Sequence, residues 1–476
     1  MIYPNISGIF GISPGVNFPR ELANGILGRF ASSEPEVLAN LQVIVNSTRM
    51  RHRLTEELID LGAMLHPQIL TLPEVSQLIP NSYQPIPNYS LIHKFELMAL
   101  VQKLIEAQPD IAAQSSVYAL TKSLSELIDE MQGEAVPVEN ILDLDISDQS
   151  GHWKRTQLFL YIVKKYLENR KNDPDEEAWL RQIINALTDY WLEESPKNPV
   201  LIAGSSGSRA STRKLIKGII NLPNGAVVLP GFDFTLPKNL WGKKERVGVP
   251  EDHPQFRNIK TFFELGLPKS NLQKWHLKEK SNIQLQNLIS LSLRPAPVTD
   301  CWLDEGPKLG NVSKITESIT LVEADSIRDE SLAIAFRMIL AIKENKSLIL
   351  VSPNRKLTRM VSAYLSNRNI IPDDSAGVPL QLTPSGRFLR LVVSLFAGPV
   401  TITKIFALLK HPLTHSGGDF RTEHLEFVRS LELFFRTTNV NIFSAKNISA
   451  WLEQNEAQYA SKWASWICNL LEQCRL

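Results

Sequence analysis

Seven short apolar runs, most of them followed by a turn and an amphipathic stretch, constrain this chain more than any other feature. Three lie in the first part of the chain: Ile6–Ile12, Leu41–Val45 (LQVIV) and Gln68–Leu72 (QILTL). Asn198–Ala203 (NPVLIA) and Gly225–Leu229 (GAVVL) come after a long interruption, and Ser318–Val322 (SITLV) and Ser347–Val351 (SLILV) further on. Runs this short and this rich in Val, Ile and Leu read as strands covered on both faces. The intervening stretches carry helical spacing; Met50, Leu54, Leu58 and Leu61, for example, fall on one stripe. Strand, turn and helix in alternation predict a parallel sheet with crossover helices.

The long interruptions have a different texture. Between Ile92 and Trp191 the amphipathic stretches 94–106, 117–131, 152–168 and 177–193 predict a helical insertion. Residues 237–297, rich in Pro, Asn, Lys and Trp, predict a surface excursion and a linker. Helices are expected over 329–343 and 357–367, and the chain after Thr401 reads as mostly helical. No internal repeat of fixed period occurs. The expected plan is a first α/β domain over 1–90, a helical insertion over 91–197, the rest of that domain with a linker over 198–310, a second α/β domain over 311–400, and a second helical insertion over 401–476.

Composition limits the partners. The formal net charge over 476 residues is +1, so nucleic-acid contact has to come from local basic patches. The three cysteines, Cys301, Cys468 and Cys474, are too few for a disulfide framework and suit a reducing, cytoplasmic location. Cys468 and Cys474 would hold a metal only with ligands from elsewhere. No stretch approaches the roughly 20 apolar residues of a membrane span, and MIYPNISGIF lacks the basic region and cleavage site of a signal peptide. Ala450–Leu476 reads as a helical segment, with Trp451, Trp463 and Trp466, that nothing closes. The chain is therefore expected to be a fragment of a longer protein.

Two glycine-bearing turns raise the question of phosphate binding. GISPGVNFPREL follows the first strand as a phosphate loop would, with Gly11 and Gly15 in place. Asn17, Phe18 and Pro19 stand where Gly, Lys and Ser or Thr would contact the outer phosphates and magnesium. Pro19 suits a helix start but donates nothing. GSSGSRAST, Gly204–Thr212, resembles an anion site more closely, through Ser205, Ser206, Ser208 and backbone N–H groups. Arg209, Arg213 and Lys217 follow at four-residue spacing, which reads either as a solvated helix face or as a contact with a nucleic-acid backbone. No acidic pair follows this strand.

Further basic residues stand at predicted strand ends, where parallel sheets bind ligands. Arg49 and Arg53 lie one turn apart after LQVIV, with Asn46 and Thr48 as candidate caps. Arg355, Lys356 and Arg359 follow the end of SLILV, and Arg387 and Arg390 stand in the first turns after TPSG. The DDSAG turn, Asp373–Gly377, reads as a backbone-capping turn or a cation site. No G-x-S-x-G, H-E-x-x-H or C-x-x-C motif occurs.

Taken in order, GISPGVNFPREL, VNSTRMRHRL, IAGSSGSRAST, GAVVLPGFDF with EDHPQF, LVSPNRKLTRM, PDDSAGVPLQLTPSGRFLRL and LLKHPLTHSGG resemble the N-terminal part of AddB, the second subunit of bacterial AddAB helicase-nucleases, in its alphaproteobacterial form. The resemblance implies two RecA-like, superfamily-1 helicase-like α/β domains, each with a helical insertion. It implies a first loop (Gly11, Gly15, Asn17) that has lost its ATP chemistry, and a later strand, Leu201–Ala203, that has lost its acidic pair. The function implied is an ATPase-inactive, DNA-binding module in double-strand break repair, partnered by an AddA-type motor subunit and gripping duplex or single-stranded ends through phosphates. Arg49, Arg53, Arg209, Arg213, Lys217, Arg355 and Arg387 are the expected contacts. The family's nuclease domain, with its metal site and iron–sulfur cluster, has no counterpart in this sequence, so no cofactor is expected here. Two other readings stand beside this one: an active NTPase that uses the 204–212 loop, and a scaffold for a partner that does not bind DNA.

Overall fold

The computed structural model describes residues 6–63, 65–80, 90–107, 116–137, 174–241, 248–267, 271–276, 282–415, 420–438, 441–454 and 458–473, together with 109, 140, 164, 166 and 167. The chain divides into two compact units, residues 1–320 and 321–476. The expected second part of the helical stretch, 152–168, lies almost wholly outside the described residues.

Unit 1 is built on a six-stranded parallel sheet of order β3-β2-β4-β5-β1-β6. The strands are β1 (Gly8–Gly11), β2 (Gln42–Val45), β3 (Gln68–Thr71), β4 (Val200–Ala203), β5 (Gly225–Leu229) and β6 (Leu272–Lys274). Five of them stand where the apolar runs predict. β6 lies inside the stretch read as a surface excursion; its three residues carry no apolar run, and its pairing with β1 alone makes it a strand.

Side chains alternate across the sheet, and both faces are covered. Leu201 and Ala203 of β4 join the core under α1 (Phe18–Phe30) and α3 (Thr48–Asp60), with Leu22, Ile26, Leu54 and Leu58. Val200 and Ile202 face the opposite way, into the core formed with α6 (Glu176–Glu193), α7 (Ala210–Ile220) and α8 (Phe256–Glu264). α6 was expected in the helical insertion, yet Ile183, Ile184, Leu187 and Trp191 bury it directly against the sheet. α4 (Ser90–Ala107) and α5 (Val117–Gly133) instead share a separate core through Leu97, Val101, Leu124 and Ile128. The short α2 (Pro35–Ala39), α9 (Ile283–Ser292), α10 (Cys301–Glu305) and α11 (Val312–Ile315) complete the helices described in this unit.

The local starts follow capping chemistry. Asn17 caps α1, with Pro19 in its first turn. The cap of α3 is Ser47, which accepts from Met50 N at 3.2 Å, rather than Asn46 or Thr48. Gly25 of α1 is required by a close approach: a Cβ there would lie 2.1 Å from Nε1 of Trp275. That indole donates to the Leu22 carbonyl at 3.0 Å, and the Arg29 guanidinium stacks 3.7 Å over its ring.

Unit 2 holds α12 (Ile327–Lys343), α13 (Arg355–Ser366), α14 (Pro384–Phe396), α15 (Ile402–Leu409), α16 (Arg421–Thr438), α17 (Ala445–Gln454) and α18 (Ser461–Gln473). The runs SITLV and SLILV were expected as strands, but among the described residues they join no ladder. A strand needs a neighbour to take its N–H and C=O groups, and none is described beside them. SLILV nevertheless keeps a two-residue alternation. Leu350 packs against α12 and α13 in a core of Ala335, Val361 and Leu365, while Ile349 and Val351 are 89% and 87% exposed. The structure therefore contains one parallel sheet among its described residues. The remaining helices of unit 2 enclose a larger core around Ile405, Leu431, Phe435 and Trp451.

Candidate functional site

Because all six strands of unit 1 run in parallel, the loops that follow them leave from one edge of the sheet, the edge at which such sheets hold ligands. The loop after β1 occupies the phosphate-loop position, and its chemistry is spent internally. Asn17 Oδ1 accepts from Arg20 N at 3.4 Å, and Asn17 Nδ2 donates to Glu57 Oε1 at 3.2 Å. Glu57 is buried and also pairs with Arg20 at 2.9 Å and Arg53 at 3.5 Å. On the other side, Gln286 of α9 donates to the Pro14 carbonyl. The loop is thus a helix cap braced by a carboxylate and by a neighbouring helix.

The loop after β4 approaches the same place. Gly204 (φ 81°) lies against Phe18 and Asn46, and Gly207 (φ 68°) turns the chain towards α7. The polar faces of this turn are filled from within. Ser205 Oγ accepts from Gly207 N at 3.3 Å, and Thr261 donates to the Ser206 carbonyl at 2.8 Å. Arg213 donates to the carbonyls of Gly207 and Ser208 at 3.0 and 3.2 Å.

Charge pairing divides the basic residues expected at this edge. Arg213 is 13% exposed and lies between Glu134 (2.9 Å) and Glu264 (2.5 Å), so its charge is neutralised and its side chain fixes the loop. Arg209 pairs with Glu177, at the start of α6. Arg53 pairs with Glu56 at 2.6 Å as well as with Glu57. Arg49 is exposed at the start of α3, and Lys217 is exposed in the last turn of α7. Of the expected stripe, Arg213 and Lys217 lie one turn apart on α7, Arg209 is the extended N-cap residue before it, and the acidic partners of Arg209 and Arg213 come from other elements. In unit 2, Nη1 of Arg355 donates to both oxygens of Asp374 at 3.1 Å and Nη2 donates to the Gly377 carbonyl at 2.9 Å. Its guanidinium and the Ala376 N–H hold the Asp374 carboxyl below the usual carboxylate range, the N–H contributing most. The DDSAG turn is a docking point for Arg355 in this arrangement. Arg387 is exposed in the first turn of α14, which Thr383 caps.

A cleft of about 560 Å³ opens beside the first loop. Its walls are Ser13–Gly15, the exit of β5, the 253–258 turn, Lys274 at the end of β6, and α9. Two segments far apart in sequence meet in it: Gln255 accepts from Asp233 N at 3.1 Å and donates to the Gly231 carbonyl at 2.8 Å. Asp233 then accepts from Thr235 Oγ1 at 2.6 Å and from Ser290 Oγ at 2.5 Å. His253 Nδ1 accepts from Gln255 N, which assigns its proton to Nε2, facing the Leu293 carbonyl at 3.1 Å. Burial pushes the pKa of His253 down. These groups form a braced, mostly neutral polar wall.

Sequence reasoning picked out GFDF and EDHPQF only as stretches of likeness, and gave Asp233, Gln255 and Ser290 no site role. It passed over Arg51, which forms a fork with Glu74 at 2.8 Å and, after the Thr71 N–H, helps hold that carboxyl low. The (i, i+4) and (i, i+3) spacing of Arg53 with Glu57 and Glu56 was the available signal; the long-range pairs left none. Comparison with protein-family models and with curated proteins finds no match. Among the described residues no helix is long and apolar enough to cross a membrane. Cys474 lies outside the described residues.

Proposed function

We propose that the chain is a DNA-binding, ATPase-inactive helicase-like module of the AddB type, acting beside an AddA-type motor subunit at double-strand breaks. The observation that carries this reading is the state of the first loop. It stands at the carboxyl end of β1, an inner strand of a parallel sheet, where a phosphate loop belongs, but Asn17 is a cap tied to Glu57 and the Pro14 carbonyl is covered by Gln286. The loop after β4 likewise begins with Gly204-Ser205 in place of an acidic pair. On this reading 311–400 is the core of a second RecA-like domain, and the alternating SLILV run on α12 and α13 supports that assignment. DNA contact then rests most on the exposed Lys217 and Arg387, with Arg49 at the start of α3 as a further contact and Arg53, Arg209, Arg213 and Arg355 positioning the loops.

The test is equilibrium binding to a forked DNA end across a salt series, without nucleotide, together with an ATPase assay. Sub-micromolar binding that weakens steeply with salt, with no hydrolysis, is the expected result. Hydrolysis abolished by changing Ser208 would transfer the function to the 204–212 loop. Absence of binding at low salt would leave a scaffold for a partner.

A further inference from the structure

Unit 2 carries a second cleft, of about 370 Å³, among α16, α18 and the segments that precede them. Its lining is unusual in kind: among the described residues, besides Glu423 and Lys462, every lining residue is aromatic or histidine and none is aliphatic. The rings form one connected series. Tyr459 lies 5.7 Å from Phe427, which lies 5.4 Å from Trp463. Trp463 meets His424 at 5.8 Å, and His424 stacks on His415 at 4.7 Å and 28°. His415 in turn meets the edge of Trp466 at 5.0 Å.

The floor of this cleft is buried and hydrogen-bonded, and its rim is exposed. Buried His424 accepts from Trp463 Nε1 at 2.9 Å on Nδ1, so Nε2 carries the proton and donates to the Leu409 carbonyl at 2.8 Å. Above it Tyr459 is 74% exposed, Phe420 68% and Trp466 37%. Three large aromatic side chains exposed around one concavity mark a binding surface.

We propose that this cleft stacks unpaired nucleobases of a single DNA strand. A groove that docks an apolar helix presents aliphatic side chains, whereas this one presents π-faces, which every base can stack on without regard to sequence. The rim supplies a cation, Lys462, for the adjoining phosphate, and a carboxylate, Glu423, as acceptor for exocyclic amino groups. Lys462 also disfavours a cationic occupant of the aromatic cage. The proposal rests on the DNA-binding reading above and names a contact that the phosphate grip does not include.

The test titrates the whole chain with a thymidine decamer and with an abasic decamer of the same phosphate count, reading tryptophan fluorescence and anisotropy. The thymidine strand is expected to quench fluorescence and to bind about 5- to 150-fold more tightly than the abasic one. Tyr459→Ala and Phe420→Ala, at positions too exposed to threaten folding, should each remove part of that advantage and leave abasic binding unchanged. Trp466→Ala should reduce the quenching, leaving the part that Trp463 contributes. Equal binding of the two strands, with no effect of the variants, would overturn the stacking site and leave the phosphate grip standing. Failure of both strands to bind would overturn the DNA-binding reading and this proposal with it. A proline-rich peptide that quenches where the thymidine strand does not would reassign the cleft to protein recognition.

Discussion

Arg213 and Lys217 stand one helical turn apart on α7 and do different work. Arg213 is held by Glu134, Glu264 and two carbonyls, so Arg213→Ala leaves two carboxylates and a glycine turn unsupported. A stability loss of about 1–3 kcal/mol is expected in urea unfolding. Lys217→Ala should leave the unfolding midpoint within about 0.5 kcal/mol of the parent and instead reduce the salt slope of DNA binding by about 1. Gly25 belongs with Arg213. A methyl group there meets the Trp275 indole, and Gly25→Ala should cost about 1–3 kcal/mol through overpacking. His424 sets a pH dependence. Burial lowers its pKa, and neighbouring His415 and Arg421 lower it further against the Leu409 hydrogen bond. The unfolded chain then binds more protons than the folded one below about pH 6.5. The stability His424 contributes is complete above that value and is lost as pH falls towards the lowered folded pKa. Thermal unfolding between pH 7.5 and 5 should show this decline, and His424→Gln should flatten it.

At the scale of elements, the two units treat the same sequence pattern differently. In unit 1 the runs VLIA and GAVVL are buried on both sides because helices cover both faces of a laddered sheet. In unit 2, among the described residues, SLILV has helices on one side only, and alternate residues are exposed. Substitutions on its two sides should therefore separate. Leu365→Ala, on the helix layer beneath, should cost about 2–5 kcal/mol. Ile349→Thr should change stability by less than about 0.5 kcal/mol and improve solubility, which static light scattering would register. β6 makes the complementary point: three residues without an apolar run become a strand because β1 offers them an edge.

At the scale of the whole molecule, local chemistry was legible and long-range pairing was not. Five of the six strand positions in unit 1, the helix starts and the two glycine turns follow from apolar period, capping and φ preference, all of which act over a few residues. The missing Lys and hydroxyl of the first loop could be read directly from Asn17, Phe18 and Pro19, and so could the placement of basic residues at strand ends. The pairing of Arg209, Arg213 and Arg355 depends on Glu177, Glu134, Glu264 and Asp374, each brought in by the fold from another part of the chain. The same holds for the cleft wall built from Asp233, Gln255 and Ser290, and for the ring series of the second cleft. The sequence by itself determined an α/β chain with parallel strands and a first loop, Gly11–Pro19, that carries no Lys and no Thr, because those features depend on neighbours within a turn or a strand. Only the tertiary structure decided which cations are neutralised and which rings converge, because Coulomb and stacking energies depend on distances in space that spacing along the chain does not set.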